Sequence, residues 1–198
     1  MKKITFNELK KQVSKKFEKE KRGASHDFTH IERVIKNCEL IGKKEKANMK
    51  ILKYAALLHD YVRESVHETK GNHALESAKK AKQLLKKTSL TSQEIKQVTQ
   101  AIESHSRSSK IKPKTLEAKV LFDADKLDAA GYYGFLRWVT QGNELNWSID
   151  EIIKNYFKAV EKTKKQGFYT KTGEKLIKHR IKQTEKLVKQ IQKQLKKE

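Results

Sequence analysis

The chain is poor in everything that breaks or cross-links a helix. It has one cysteine, one proline and eight glycines in 198 residues. A single cysteine, Cys38, excludes an intramolecular disulfide and fits a reducing cytoplasm. It follows Ile31, Val34 and Ile35 at helical spacing, as a small core thiol would. No segment approaches the roughly 20 apolar residues that span a bilayer, which excludes a membrane-spanning helix. The first residues, MKKITFNELKK, have no apolar stretch of the secretory kind, so a cytoplasmic location is expected. There is no Walker glycine loop, no internal repeat, no strand-like alternation and no interdomain linker.

What remains is helix-forming. Lys, Glu, Leu and Ala dominate, and apolar residues recur in helical register despite a low hydrophobic fraction of 36%. We expect an all-α single-domain helical bundle over residues 1–198, with a motif core at about 25–138 and C-terminal helices at 148–198 packed on it. The pattern predicts helices at about Asn7–Lys21 (with Asn7 as N-cap), Asp27–Lys44, Asn48–Val62, His73–Lys87, from a Thr91/Glu94 capping box to His105, through FDAD, from Ser148 to Gly167, and from Thr172 onward. Residues Ser106 to Thr115, with the only proline, read as a loop and a mobile flap. Gly131 and Gly134 mark either close packing or a break.

The formal net charge is +22, and six of the 46 basic residues are arginine, the other forty lysine. Such a field attracts nucleotides, nucleic acid or anionic membrane. A lysine excess spread over every helix reads as a general surface bias rather than a groove shaped for nucleic acid.

The chemistry gathers elsewhere. His59-Asp60 closes the apolar run LKYAALLHD, His30 lies upstream in HDFTHIERV, and Asp125 lies downstream in FDADKLD. Two imidazoles and two carboxylates suit a divalent cation that activates water or grips phosphate oxygens. His26, Asp27, His30 and Arg33 share one helix side, so Arg33 could hold a phosphate beside a metal at His30. Neighbouring helical residues diverge by about 100°, so His59 and Asp60 can share an ion only if it sits between them against the helix. Glu64, four residues after Asp60, rises on the same face and could orient water or accept a proton. His67, His73 and His179 read as structural, and Asp123 and Asp128 as helix-end or salt-bridge groups.

The ordered set HDFTHIERV, AALLHDYV, GNHALESA and FDADKLDAAGYYG resembles the HD-domain phosphohydrolase superfamily, and within it small stand-alone bacterial hydrolases, over roughly Ser25 to Trp138. The resemblance implies a helix bundle with a divalent metal held by His30, His59, Asp60 and Asp125. His30, three residues before Arg33-Val34, takes the place of the first histidine rather than His26. It also implies substrate or proton-transfer roles for Asp27, Arg33, Glu64 and Lys126. The chain departs from many relatives in following His-Asp with Tyr61-Val62-Arg63, which would make the pocket narrower and more basic. His105 falls where relatives with two metals carry an extra histidine, but the rest of that pattern is not evident, and one metal is expected.

The expected function is hydrolysis of a phosphate ester or anhydride of a small nucleotide, a nucleoside or deoxynucleoside triphosphate first. In that scheme Asp60 would bind the metal and serve catalysis, Arg33 and Lys126 would neutralise phosphate, and Glu64 or Asp27 would handle the proton. Manganese or magnesium is favoured, with cobalt, nickel, iron and zinc not separable by ligand type. Tyr132, Tyr133, Phe135 and Trp138 are candidates for contacting a base, although aromatics at that spacing also form cores. The competing readings are a phosphodiesterase acting on RNA, DNA or a cyclic nucleotide, and a non-catalytic metal-binding signalling module.

Overall fold

A computed structural model describes residues 2–20, 27–62 and 72–195. Among them the chain forms nine α-helices: α1 (Phe6–Lys19), α2 (Phe28–Glu45), α3 (Met49–Leu58), α4 (His73–Leu85), α5 (Ser92–Glu103), α6 (Leu116–Asp128), α7 (Gly131–Glu144), α8 (Ile149–Gln166) and α9 (Lys171–Leu195). A short 3-10 turn, Arg107–Ser109, follows α5. Among the described residues the only β pairing is an isolated bridge between Ile4 and Thr88.

Helix starts follow from side-chain chemistry. Thr91 with Glu94 and Ser148 with Glu151 form reciprocal capping boxes that satisfy orphan amides. A third box corrects the expected start of α1: Thr5, not Asn7, is its N-cap, because Thr5 accepts from the Glu8 amide while the Glu8 carboxylate accepts from the Thr5 amide. Asn7 sits inside the first turn.

α3 is the central helix. Ile51, Leu52, Ala55, Ala56, Leu57 and Leu58 are fully buried, and it packs against α1, α2, α5 and α6. Burying an aliphatic side chain of this size contributes about 1.5–3 kcal/mol before entropy is charged against it. α2 packs against α6, α9 packs against α2, α6 and α7, and α8 packs against α7. The helix expected through Val62 stops at Leu58. The His59 ring nitrogen Nδ1 donates to the Ala56 carbonyl at 2.8 Å, taking the acceptor that the Asp60 amide would use in a continuing helix. The next amide, Tyr61 N, bonds back three residues to Leu58 O.

Gly131 and Gly134 mark both a break and a close approach. Gly131 opens α7 at φ +85°, a region that glycine enters without strain. A Cβ at residue 134 would lie 2.3 Å from the Ala129 carbonyl carbon. The expected flap folds as a loop carrying the 3-10 turn, with Ser109 buried and its hydroxyl donating to Ser106 O. That turn packs on α4.

Candidate metal centre

His30 on α2, His59 at the end of α3, Asp60 just beyond it and Asp125 on α6 converge. His30 Nε2 lies 3.3 Å from His59 Nε2. Asp125 Oδ1 is 3.5 Å from the first and 3.9 Å from the second, and Asp60 Oδ2 is 3.8 Å from each. One donor atom each from His30, His59 and Asp60 falls within 4.8 Å of the others. His59 keeps helical backbone angles as the C-cap of α3, and its Nε2 and the Asp60 Oδ2 still come to within 3.8 Å of each other.

The tautomers follow from the partners on the far side of each ring. His30 Nδ1 lies 2.8 Å from Asp128 Oδ2, and His59 Nδ1 lies 2.8 Å from Ala56 O. Both partners accept, so both Nδ1 atoms carry the proton and both Nε2 atoms present lone pairs. Two lone pairs 3.3 Å apart repel unless positive charge lies between them. Burial pushes the His59 imidazole down to about 4, against the pull of Asp60. A divalent cation fits this donor set.

Asp128, read from sequence as a helix-end or salt-bridge group, is both. Buried at the last position of α6, it receives His30 Nδ1, Arg33 Nε at 2.6 Å, Arg33 Nη2 at 3.2 Å, and Arg137. Burial alone would raise its carboxyl, but the hydrogen bonds from His30 and Arg33 outweigh it and hold Asp128 below the usual range. Arg33 is thereby engaged: its Nε–Nη2 edge is filled by Asp128, and Nη1 donates to Thr29 Oγ1 and Tyr133 Oη. A phosphate would have to compete with Asp128 for that edge.

Asp27 caps α2, its Oδ1 accepting from His30 N and Thr29 Oγ1. Lys126 Nζ sits 2.5 Å from Asp125 Oδ2. Burial would raise Asp125, yet Lys126 and the surrounding imidazoles hold it well below the usual carboxylate range. Glu64, His26 and His67 lie outside the described residues.

Sequence reasoning missed His73. It opens α4 and joins Asp60 and His105 in a second donor set within 4.8 Å, with Asp60 Oδ1 3.7 Å from His73 Nε2 and 3.3 Å from His105 Nε2. His105 Nδ1 donates to Ile102 O at 2.6 Å, so its Nε2 also presents a lone pair. Asp60 thus turns one oxygen to each set. The aromatic candidates divide: Phe135 is buried and Trp138 packs on the core, whereas Tyr132 and Tyr133 are about half exposed. The two tyrosines line a groove of about 640 Å³ with Arg33, Lys36, Asn37 and Arg180. A larger hollow of about 840 Å³, lined by α8 residues such as Ile153 and Phe157 and by Gln192 of α9, holds none of the donors.

An all-helical bundle that brings His, His-Asp and Asp to one buried point from three helices defines a metal-binding hydrolase class. The chain belongs to the HD-domain family, whose model matches residues 27–130. HD domains bind divalent metals, and the cluster is consistent with one. A predicted HD superfamily hydrolase from an uncultured Thermotogales bacterium is 26% identical, with 97% of this chain and 99% of that one aligned and a TM-score of 0.70. Bacillus subtilis YpgQ, solved in complex with ADP, is 24% identical over 96% of this chain and 97% of its own, with a TM-score of 0.72. An HD-superfamily hydrolase from Bacillus thuringiensis is 24% identical over 98% and 100%, again with a TM-score of 0.72. No curated protein sequence gives a significant match. No described helix is long and apolar enough to cross a membrane.

Proposed function

We propose that the chain hydrolyses a phosphate anhydride or ester of a small nucleotide, first among them a nucleoside or deoxynucleoside triphosphate, at a centre formed by His30, His59, Asp60 and Asp125. The observation that carries the reading is the pair of Nε2 lone pairs facing each other at 3.3 Å in a buried site with two carboxylates. A divalent ion there, manganese or magnesium by preference, supplies Lewis acidity toward a phosphoryl oxygen and acidifies water. Asp128 keeps His30 in the tautomer that offers Nε2, and the Ala56 carbonyl does the same for His59.

Lys126, at the partly exposed rim beside Asp125, neutralises a non-bridging phosphate oxygen. Attack by water forms one P–O bond and breaks another. The proton from water passes to a carboxylate, a role we assign to Glu64, with Asp27 as the other candidate. Tyr132 and Tyr133 offer exposed rings to a base along their groove. A neighbour of the same fold, YpgQ, was solved with ADP, which is in keeping with a nucleotide. One ion satisfies this scheme; the Asp60–His73–His105 set would take a second.

The test is a nucleotide panel with Mn2+, Mg2+, Co2+ or Ni2+, with orthophosphate and pyrophosphate detected separately and Mn2+ stoichiometry measured alongside. The combined substitution His59→Ala with Asp60→Ala is expected to reduce turnover to background. Turnover that survives it overturns the proposal.

A further inference from the structure

Two arginines stand near the centre, and they differ in one respect. The Nε–Nη2 edge of Arg33 is filled by the Asp128 carboxylate. Arg107, in the 3-10 turn after α5, has its Nε and Nη2 atoms buried with no hydrogen-bond partner among the described residues. These two nitrogens form the side of the guanidinium whose parallel N–H groups match a carboxylate or phosphate. Buried donors without acceptors are costly, so folded chains rarely leave two on one group without a purpose.

The place of the guanidinium matters as much as its vacancy. It lies 5.6 Å from the centre of the Phe122 ring, and Lys126 Nζ lies 5.1 Å from the same ring. Lys126 in turn holds Asp125 Oδ2. Both cations therefore lie against one aromatic ring beside the proposed metal ligand. Burial lowers the Arg107 pKa while Asp125 opposes that shift. Arginine stays charged under these conditions.

Resting on the phosphohydrolase reading, we propose that Arg107 is a substrate-binding residue whose Nε–Nη2 edge grips a phosphate group beyond the one at Lys126, giving the site its preference for polyphosphates over monophosphates. The bland alternative is that Arg107 merely packs on Phe122. The two differ in what Arg107→Gln does to anion affinity and to metal affinity.

Binding of inorganic pyrophosphate as its magnesium complex is measured by calorimetry, and Mn2+ affinity by the electron paramagnetic resonance signal of the free ion. For Arg107→Gln, pyrophosphate affinity is expected to fall about tenfold or more, with Mn2+ affinity changed by less than about twofold. Arg107→Lys, which keeps the charge but loses the fork, is expected to fall between the two. Pyrophosphate that binds the wild type and Arg107→Gln equally, or binds neither, overturns the proposal. A parallel loss of Mn2+ and pyrophosphate affinity also overturns it, since that is the signature of packing alone. Absent nucleotide turnover with pyrophosphate binding still dependent on Arg107 would sink the nucleotide reading and leave this one standing.

Discussion

The back of the centre, where each imidazole turns its Nδ1, is closed by hydrogen bonds: His30 to Asp128, His59 to Ala56 O, His105 to Ile102 O, with Arg33 and Arg137 clamped on Asp128. The front presents lone pairs, carboxylate oxygens and, close by, a guanidinium edge with no acceptor among the described residues. Both sides are buried in the same core, so burial does not separate them. What separates them is that the back uses main-chain carbonyls and a carboxylate already fixed by the fold, whereas the front gathers imidazole lone pairs and carboxylates that repel one another. Orientation is supplied on one side so that reactivity can be left open on the other.

Substitutions can break or sharpen this contrast. The largest effect belongs to the front: the His59→Ala, Asp60→Ala protein should lose hydrolysis to background while keeping its helical circular dichroism. Behind it, Asp128→Asn leaves every Nε2 in place yet weakens the hold on His30. Partners of this kind typically cost about 10–100-fold in metal affinity or activity. Mn2+ titration and kcat/KM check it, and an unchanged pair of values would mean that the back is merely structural.

Acid gives a third comparison. Because the folded His59 pKa lies near 4 and the unfolded one near 6.5, the unfolded chain binds the extra proton between those values. Stability of the metal-free protein should therefore rise with pH across that window, by at most about 1.4 kcal/mol per pH unit from this group. His59→Gln should flatten the slope, as read from denaturant midpoints. The smallest effect is expected from Tyr133→Phe, which removes only the exposed acceptor of Arg33 Nη1 and should change kcat/KM by less than about threefold.

Much of the arrangement was legible in the chain itself. The helical class followed from periodicity and the scarcity of breakers, and Thr91 with Glu94 announced a helix start because both partners lie within one turn. The four residues His30, His59, Asp60 and Asp125 were readable as an ordered pattern and do converge. What sequence could not show was long-range pairing. Asp128 meets His30 across 98 positions and looks locally like any acidic helix end. His73 heads a helix whose position beside His105 depends on how α4 packs on α5. The end of α3 at Leu58 arises from a side chain capturing a carbonyl, which competes with helix propensity rather than following from it. Arg107 lay in a stretch read as a loop, where no pattern distinguishes a solvated arginine from a half-buried one.

Two carboxylates on α6 lie two residues apart and serve different masters. Asp125 faces the imidazoles, while Asp123 accepts from the amides of Tyr169 and Thr170 and from the Thr170 hydroxyl at the entrance to α9. It can come so close because residue 173 is glycine, where a Cβ would stand 2.5 Å from Asp123 Oδ2. The Tyr169 ring meanwhile rests edge-on against Phe122, the same ring that carries Arg107 and Lys126. One helical turn is thus the common bracket for the last helix and the reactive end of the molecule. A change that loosens the C-terminal helix should be felt first as a drift in Asp125, because the backbone leaves no slack between the two attachments.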